Sequence, residues 1–425
     1  MSMKSIKGNL LTCLLTMTKF VYLLVACLLG CTCAFDDWHR YHLVWQDEFD
    51  TLDLDKWQQE VTAWGGGNFE FQVYTPDSTN SFVSNGVLHI RPTLLTENTN
   101  PLTGQPFGDA FMQNGELNLR AMYGLCTNDM VGGCYRLGTY EEYGNIPPVM
   151  SARLRSHHKF SFTFGRVEVR AKMPVGDWTW PAIMMLPERD EYGTWPASGE
   201  IDIVEIIGNR NLRNTGNEFI GIQKMGVAAH WGATWGQNRY YLSYTKRFNE
   251  SSNYGDNFHL FWVDWSSNGL RYFVDDENRP VLEVPNPQID QNAGWVDFWD
   301  WGKPWTKGTI NPWIDGTNLA PFDKAFHLVL NVAIGGTNGF IPDGAINRDG
   351  VTKHQKPWNN SDSYELAMKK FYDSRINWLS TWNDEGDNAH MQIDYIRVYQ
   401  TSGDKVSNTI FVFRTMPKAY IICVK

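Results

Sequence analysis

The sequence predicts an all-β protein built as a β-sandwich. Short apolar or alternating runs recur along the chain, with Gly, Asn, Asp and Pro between them. The run Gly165–Lys172 is the clearest, because charged residues alternate there with Val167, Val169 and Ala171, as a strand with one buried face requires. Long stretches of helical periodicity are nearly absent. Many short antiparallel strands joined by turns build a sandwich or a barrel, and we predict a sandwich.

Five segments carry the strongest strand patterns, and one short helix is expected near the C-terminal end. The predicted strands cover residues 86–91, 165–172, 258–265, 270–274 and 391–399. The helix is expected after Asp362, where Glu365 completes a capping box. Tyr364, Met368 and Phe371 then lie on one side of this helix, which is expected to be its buried side.

Residues 1–34 have the composition of a secretory signal peptide. A lysine-containing start leads into an apolar run at residues 20–29, and small residues follow up to Ala34. This run is too short for a lasting membrane anchor, so cleavage near Ala34 is expected, with an uncleaved signal anchor as the alternative. The mature protein is therefore predicted to be secreted and extracellular, without membrane association after cleavage.

The mature chain is expected to be acidic. Residues 1–34 contain three of the 37 basic residues and none of the 47 acidic ones, so the net charge without them is −13. Nucleic acids and anionic membranes attract positive charge, so neither is expected as a partner. This charge suits a neutral partner, and the chain is expected to act as a monomer.

Cysteine usage agrees with export. Four of the seven cysteines lie within residues 1–34, and Cys423 has no obvious partner. Cys126 and Cys134 flank a pair of glycines and are well spaced to close a loop as a disulfide in an oxidising compartment. A metal-binding pair is the alternative, but no histidine stands nearby in the sequence to complete such a site.

Three carboxylates stand in the apolar run Glu200-Ile-Asp-Ile-Val-Glu-Ile-Ile207. Isolated carboxylates are costly to bury, so these must be solvated, paired or used. On a regular strand Glu200 and Asp202 share a face, while Glu205 points to the other. A β-bulge at Ile203–Val204 would return Glu205 to the first face. On spacing alone, a solvated strand face or a calcium-binding edge explains the pattern equally well.

The bulged strand would suit a retaining glycosidase. The two glutamate backbones would lie about 13 Å apart, and side chains leaning inward would approach the ~5–5.5 Å that such enzymes need. One glutamate attacks the anomeric carbon, and the other protonates the departing oxygen and later activates water. The middle aspartate would hold a hydrogen bond to the nucleophile, while mutual repulsion among the acids would raise one pKa.

The run Trp195-Pro-Ala-Ser-Gly-Glu-Ile-Asp-Ile-Val-Glu205, followed by Gly208-Asn209, resembles the active-site strand of glycoside hydrolase family 16, in its laminarinase branch. Cys126…Cys134 and Pro357-Trp358 resemble its animal members, which include β-1,3-glucan-recognition proteins. The resemblance spans roughly residues 40–400. Further motifs in order are His42-Leu-Val-Trp-Gln-Asp-Glu-Phe49, Asn68-Phe-Glu-Phe-Gln-Val-Tyr-Thr75, Phe164-Gly-Arg-Val-Glu-Val-Arg-Ala-Lys-Met-Pro174, Ala229-His-Trp-Gly232, Leu330-Asn-Val-Ala-Ile-Gly-Gly336 and Ile393-Asp-Tyr-Ile-Arg-Val-Tyr-Gln400.

This resemblance implies a bent jelly-roll sandwich, similar to concanavalin, with an open glycan-binding cleft on its concave face across residues 35–400. It implies a secreted, retaining endo-β-1,3-glucanase that hydrolyses laminarin-like glucan, with mixed-linkage glucan also open. Glu200 would be the nucleophile, Asp202 its helper and Glu205 the acid/base. The alternative is a β-1,3-glucan-binding recognition protein with little or no turnover, although such relatives have typically lost one or both glutamates.

The sequence also departs from the family's usual pattern. Met184 stands where the family often has Trp, and Ile206-Ile207 stand where it often has Ser-Arg. The second departure changes the surroundings of Glu205. Residues 401–425 have no counterpart in the resemblance and are expected to form a tail of unknown role.

Four residues are candidates for contacting sugar. The resemblance gives Trp195 a stacking role, since flat aromatic faces suit pyranose rings. Asn68, Arg166 and His230 are expected to hydrogen-bond sugar hydroxyls. Each also has a structural alternative: a core tryptophan, a turn asparagine, a solvated strand arginine and a core histidine, respectively.

The resemblance further implies a calcium ion on the convex face. Glu48, the carbonyl of Gly86 and Asp394 occupy the matching positions, and oxygen ligands are those that calcium prefers. An ordinary hydrogen-bonded cluster is the alternative. Such an ion would be structural, and no cofactor is expected for catalysis, because retaining hydrolysis needs none.

Overall fold

Two large antiparallel sheets dominate the computed structural model, which describes residues 41–138, 145–249, 252–285, 296–348 and 353–401. The eight-stranded sheet has the order β19-β18-β17-β11-β23-β5-β4, with β1 also paired to β23. The seven-stranded sheet has the order β16-β15-β13-β12-β20-β10-β2. Three smaller sheets flank them. The predicted signal peptide and residues 402–425 of the predicted tail lie outside the described residues.

The strands are short, and all but a few are paired with neighbours in the opposite direction. They are β1 (Tyr41–Asp47), β2 (Gln58–Gln59), β3 (Gln72–Tyr74), β4 (Ser81–Ser84), β5 (Val87–Ile90), β6 (Thr93–Leu94), β7 (Glu116–Asn118), β8 (Tyr135–Leu137), β9 (Val149–Ser151), β10 (Arg153–Arg155), β11 (Gly165–Lys172), β12 (Thr179–Pro187), β13 (Glu200–Ile206), β14 (Leu212–Arg213), β15 (Lys224–His230), β16 (Tyr244–Phe248), β17 (His259–Ser266), β18 (Gly269–Val274), β19 (Leu282–Val284), β20 (Phe326–Ile334), β21 (Ile346–Asn347), β22 (His354–Gln355) and β23 (Met391–Thr401). All five predicted strands are confirmed.

The helices are also short. They are α1 (Gly108–Asn114), α2 (Leu119–Tyr123), α3 (Phe298–Trp301), α4 (Tyr364–Asp373), α5 (Arg375–Trp378) and α6 (Ser380–Asn383). Single 3-10 turns cover Gly65–Gly67, Leu95–Glu97, Met130–Gly132, Trp235–Gln237, Tyr240–Leu242 and Gly386–Ala389. Among the described residues, no helix combines the length and apolar character needed to cross a bilayer.

The two large sheets pack face to face over one apolar core. On β11, Val167, Val169 and Ala171 are fully buried and belong to that core, so the charged residues between them point away from it. On the opposing sheet, Ile201 and Ile206 of β13 contribute to the same core. These shared contacts confirm the predicted β-sandwich.

The predicted helix is confirmed as α4, with its start one residue later than expected. The side chain of Ser363, not Asp362, caps it by accepting from the backbone N–H of Leu366. Tyr364, Met368 and Phe371 are buried, as the pattern predicts. Asp362 instead pairs with Lys370, at 2.8 Å.

The predicted disulfide is also confirmed. Cys126 and Cys134 are bonded, with their Cα atoms 5.7 Å apart. The closed loop is held against residues 61–63, because the backbone N–H of Ala63 donates to Gly133 and that of Val61 donates to the Thr127 hydroxyl. This loop therefore supports the segment that leads to Asn68.

Candidate active site

A β-bulge in β13 brings the three predicted acids to one face of the seven-stranded sheet. Asp202 pairs with Ala228 of β15 and Glu205 pairs with Gly226, so two residues of β13 stand opposite Val227 alone. The pairing with β12 breaks at the same place. The bulge predicted at Ile203–Val204 is therefore confirmed. Ile203 and Val204 are both fully buried, which fixes the acids on the opposite, outer face.

Glu200 and Asp202 each lie close to a ring nitrogen, of Trp195 and His230 respectively. The indole N–H of Trp195 donates to Glu200 Oε2 at 2.6 Å. His230, opposite Glu200 on β15, places Nε2 3.2 Å from Asp202 Oδ2. Asp202 is 1% exposed, and burial together with the Glu200 charge raises its pKa to about 6. Trp195 and His230 thus bracket this pair of carboxylates.

The ring of His230 is held in place from two sides. The amide nitrogen of Asn238 lies 2.8 Å from Nδ1, and the ring of Tyr240 stacks on the imidazole with centroids 5.0 Å apart. Burial lowers the pKa of His230, but the nearby carboxylates, Asp202 first, outweigh it and raise the pKa to about 9. In the charged form of His230, a proton on Nε2 faces Asp202.

Glu205 lies in a less polar environment. Its Oε1 accepts from the indole N–H of Trp180 at 3.0 Å, and Phe340 stacks on that indole with centroids 4.0 Å apart. Burial and the Asp202 charge raise the pKa of Glu205 to about 7, against the lowering effects of His230, Trp180 and Lys246. The side chain can therefore hold a proton near neutral pH.

This arrangement separates the acids by function. A group with a pKa near 7 can donate and regain a proton at neutral pH, as general acid–base chemistry requires. Glu200 accepts the Trp195 indole N–H, and His230 lies beside Asp202, where it lowers the pKa of that carboxyl against the larger effect of burial. Because the three acids interact, their protons leave in steps that belong to the cluster.

Asn68 lies at the edge of this face. Its side-chain nitrogen donates to Glu70 Oε1 at 2.9 Å, and Asn338 donates to its Oδ1 at 3.0 Å. Gly336 lies between the backbone of Asn68 and the ring of Trp180. A Cβ atom added to Gly336 would lie 3.1 Å from the Asn68 carbonyl oxygen and 3.7 Å from a Trp180 ring carbon. Asn68 is thus near the Glu205 end of the site.

Arg166 does not lie with the other predicted sugar-binding residues. It alternates with core residues on β11 and so points outward from the eight-stranded sheet, on the opposite side of the sandwich from the acids. Its guanidinium donates to both oxygens of Asp264, at 2.5 and 2.9 Å, and covers the rings of Tyr41 and Trp262. The expectation that Arg166 binds sugar beside the acids is therefore corrected: Arg166 is an ion-pairing residue of the outer face.

The predicted calcium ligands are engaged with arginines. Both oxygens of Glu48 accept from Arg397, at 2.8 and 3.0 Å, and Asp394 accepts from Arg170 at 2.5 Å. Gly86 lies between β4 and β5 with φ 74°. Both carboxylates are already neutralised by guanidinium groups, so this arrangement does not fit a calcium ion.

The departures from the family pattern fall on opposite faces. Met184 pairs with Asp202 across β12 and β13 and belongs to a small apolar cluster with Ala182 and Val329 on the outer face. Ile206 and Ile207 are 1% and 2% exposed and belong to the core between the sheets. Met184 is therefore the departure that borders the acids directly.

Two residues of the site were not predicted from the sequence. Trp180 could have been found, because it precedes Ala182 and Met184 by even steps on β12 and so shares their face. Asn238 had no such signal. It follows a 3-10 turn, and only the packing of that loop brings it to His230.

Comparisons with known proteins identify a family model and several relatives. The family model "Glycosyl hydrolases family 16" matches residues 117–309. A β-1,3-glucan-binding protein of Penaeus monodon is 39% identical over 365 residues, which cover 84% of this chain and 90% of that protein. Glucan endo-1,3-beta-glucosidase A1 of Niallia circulans is 30% identical over 305 residues, covering 69% of this chain and 34% of that protein.

Among solved structures, the laminarinase of Rhodothermus marinus matches with a TM-score of 0.47 and 24% identity, covering 85% of this chain and 98% of that one. The sequence relationship to the Penaeus monodon protein extends over most of both chains. The chain therefore belongs to glycosyl hydrolase family 16, in the group that includes animal β-1,3-glucan-binding proteins.

Proposed function

We propose that the protein is a secreted, retaining endo-β-1,3-glucanase in which Glu200 is the nucleophile and Glu205 the acid/base. The observation that carries this proposal is the bulge in β13, which gathers three carboxylates on the outer face of the seven-stranded sheet beside two indole donors. The raised pKa of Glu205, about 7, supports a protonated acid at neutral pH.

In the first step, a Glu200 oxygen attacks the anomeric carbon as the bond to the departing glycosidic oxygen breaks. Glu205 gives its proton to that oxygen, so the leaving sugar departs as an alcohol. The product is a glycosyl ester on Glu200 and a carboxylate at Glu205. The Trp195 N–H, 2.6 Å from Glu200 Oε2, orients the attacking carboxylate.

In the second step, the Glu205 carboxylate takes a proton from water, and the water oxygen attacks the anomeric carbon. The ester bond to Glu200 breaks, which restores both side chains to their starting state. Two inversions give net retention. The Trp180 N–H stabilises the charged form of Glu205 that exists between the steps.

Asp202 and His230 would act as positioning residues. Asp202 lies between the two glutamates in sequence and is almost completely buried. Its charge is the second cause, after burial, of the raised pKa of Glu205. The Nε2–H of His230 keeps the Asp202 carboxylate directed toward its neighbours. Asn68 and Trp195 are the remaining candidates for contacting the glucan.

A second candidate is a β-1,3-glucan-binding recognition protein without efficient turnover. It is supported by the name of the Penaeus monodon relative, a β-1,3-glucan-binding protein that matches over 90% of its length. Both candidates place the glucan on the same face, so turnover is the property that separates them.

The test is to incubate the purified protein with laminarin and follow reducing ends and product sizes. We expect early release of short oligosaccharides, with loss of at least about 10³-fold in kcat for Glu200→Gln and Glu205→Gln. Glu168→Gln, on the outer face of the eight-stranded sheet, is the matched control and should keep its activity. NMR of the first product should show the β-anomer.

Binding of laminarin without any product would reject the enzyme and favour the recognition protein. Product release that survives Glu200→Gln would reject the assignment of roles. For secretion, we expect the chain expressed in animal cells to accumulate in the medium without residues 1–34, which N-terminal sequencing would check.

A further inference from the structure

Three histidines and a glutamate meet at one edge of the seven-stranded sheet. His157 and His158 lie in the turn after β10, Glu188 directly follows β12, and His327 is on β20. Val329, two residues from His327 on the same strand, packs with Ala182 and Met184 on the outer face, so His327 points to that face too. β20 lies two strands from β13, which is about 10 Å.

The potential ligand atoms of these residues are close together. His158 Nδ1 lies 3.1 Å from Glu188 Oε1, and His327 Nδ1 lies 3.5 Å from Glu188 Oε2. The His157 ring centroid is 4.7 Å from that of His327 and 3.6 Å from that of His158. Among the described residues, His157, His158 and Glu188 form the group of His, Cys, Asp and Glu whose ligand atoms all lie within 4.8 Å of one another.

Several of these atoms are buried without a hydrogen-bond partner. Glu188 and His327 are 6% and 4% exposed. Both ring nitrogens of His327, Nδ1 of His157 and Oε2 of Glu188 find no hydrogen bond among the described residues. A buried polar atom without a partner destabilises the folded state, so four of them together point to a ligand that satisfies them.

The ring of His157 offers Nδ1 to a cation. Its Nε2 lies 3.3 Å from the backbone carbonyl oxygen of Glu188, which can only accept a hydrogen bond, so the proton of the neutral ring is on Nε2. Nδ1 then keeps a free lone pair.

The backbone holds His158 in a strained conformation that turns it toward Glu188. Its φ is 60°, in the left-handed region, and its N–H donates to Glu188 Oε1 at 3.1 Å. A non-glycine residue is strained in this region, and such strain often marks a functional position.

We propose that His157, His158, Glu188 and His327 bind a zinc ion. Three imidazole nitrogens and one carboxylate are a ligand set that Zn²⁺ accepts in tetrahedral geometry, with bonds of about 2.0–2.2 Å. Ligand atoms in such a site are separated by roughly 3.4 Å. The distance is 3.1 Å from His158 Nδ1 to Glu188 Oε1 and 3.5 Å from His327 Nδ1 to Glu188 Oε2, so each oxygen of the carboxylate lies at such a separation from one imidazole. The ion ties the turn after β10 to β12 and β20, and its role is structural and independent of the proposed hydrolysis.

The test uses protein purified without a histidine tag, stripped with chelator and titrated with ZnCl₂. We expect about one zinc ion per chain by calorimetry and elemental analysis, and a higher Tm with zinc. His158→Gly removes one ligand while glycine accepts the positive φ without strain, so it should fold normally and bind zinc at least about tenfold more weakly. The matched control is His42→Gln, an exposed histidine on β1, which should bind as the wild type does.

Glu188→Gln provides a second variant that keeps the side-chain shape and should also weaken binding by about tenfold or more. X-ray absorption at the zinc edge should show only N and O ligands at about 2.0–2.2 Å. Near-UV circular dichroism checks that both variants are folded. Failure of the wild type to bind zinc at micromolar concentrations would overturn the proposal. Binding that neither variant weakens would also overturn it, because the ion would then lie elsewhere, such as at the three acids.

Discussion

Substitution of Trp180 tests most directly what sets the pKa of Glu205. Its indole N–H donates to Glu205 Oε1 and helps to lower a pKa that burial and Asp202 raise. Trp180→Phe keeps an aromatic ring against Phe340 but removes the donor. A hydrogen bond to a charged group contributes about 1.5–3 kcal/mol, so the alkaline limb of the pH profile of kcat/KM should move up by about one to two units.

The control for this substitution is Trp262→Phe. Trp262 lies on the eight-stranded sheet, and its indole N–H has no hydrogen-bond partner in the part of the chain that the structure describes. Its replacement should leave the pH profile of laminarin hydrolysis unchanged. If Trp180→Phe lowers activity equally at every pH, the indole supports packing rather than the charge of Glu205.

Glu205 also makes a testable contribution to stability. Its pKa is about 7 in the folded protein, against an ordinary value of 4.5. Between these pH values the folded state binds more protons than the unfolded state, so the free energy of unfolding falls as pH rises through this window. Glu205→Gln removes that loss. At pH 8 its free energy of unfolding should exceed that of the wild type by roughly 1–3 kcal/mol, so it should unfold at a higher urea concentration. At pH 4 the two proteins should differ little.

Urea unfolding at the two pH values measures this difference. The exposed Glu277→Gln, on the hairpin after β18, is the control and should match the wild type at both. A variant no more stable than the wild type at pH 8 would mean that the Glu205 carboxylate is well solvated, contrary to its raised pKa.

For single residues, the sequence predicted correctly which side chains of one strand share a face. It did not predict which side chains from different strands contact each other. The three acids were predicted to lie on one face because their own strand demands it. Arg166 was assigned to the same site wrongly, since alternation shows that a residue points away from a core but not on which side of the sandwich it emerges. Trp180, the partner of Glu205, was missed because it lies on β12, and the pairing of β12 with β13 is not a local property of the sequence.

At the scale of elements, the bulge in β13 predicts an unusual tolerance to deletion. The three steps along β13 from Asp202 to Glu205 lie opposite only two steps along β15, from Ala228 to Gly226. Removing Ile203 would leave a regular strand in the same register, with Glu205 still on the outer face. We expect this variant to fold, with a loss of about 2–5 kcal/mol from the missing buried side chain, and to keep measurable activity.

Deletion of Ile201 is the matched control. It is the same residue type on the same strand and equally buried, but it pairs regularly with Met185 and Ala229. Its removal would turn Glu200 toward the core and disrupt the register, so we expect insoluble or unfolded protein. Soluble yield, near-UV circular dichroism and laminarin hydrolysis compare the two. Equal failure of both deletions would show that the bulge itself is required.

The strands and helices also show how far local sequence patterns predict where an element begins and ends. Five strands and helix α4 were predicted because apolar periodicity is a local property. The helix start differed by one residue, although Asp362 and Ser363 are both good caps. The Asp362 carboxylate is engaged elsewhere, because it pairs with Lys370 and accepts from the backbone N–H of Asn359. The short strands β2, β14 and β22, of two residues each, carry no periodicity that a sequence could reveal.

At the scale of the whole molecule, net charge distinguishes the proposed partner from charged ones. The chain carries a formal charge of −10, and 20% of its residues are charged. The proposed site is itself rich in carboxylates, so an anionic polymer would be repelled from it, whereas a neutral glucan would not. Long-range attraction therefore contributes little to binding, and recognition rests on short-range contacts.

This argument predicts that binding to laminarin is almost independent of salt. Using Glu200→Gln to prevent turnover, calorimetry between about 0.05 and 0.5 M NaCl should show a Kd that changes less than about twofold, because screening acts only between charges. A carboxymethylated β-1,3-glucan of similar length is the comparison, and its affinity should rise with salt as repulsion is screened. A laminarin affinity that falls about tenfold or more over the same range would mean that ionic contacts dominate binding. A neutral glucan cannot form such contacts, so this result would contradict the prediction.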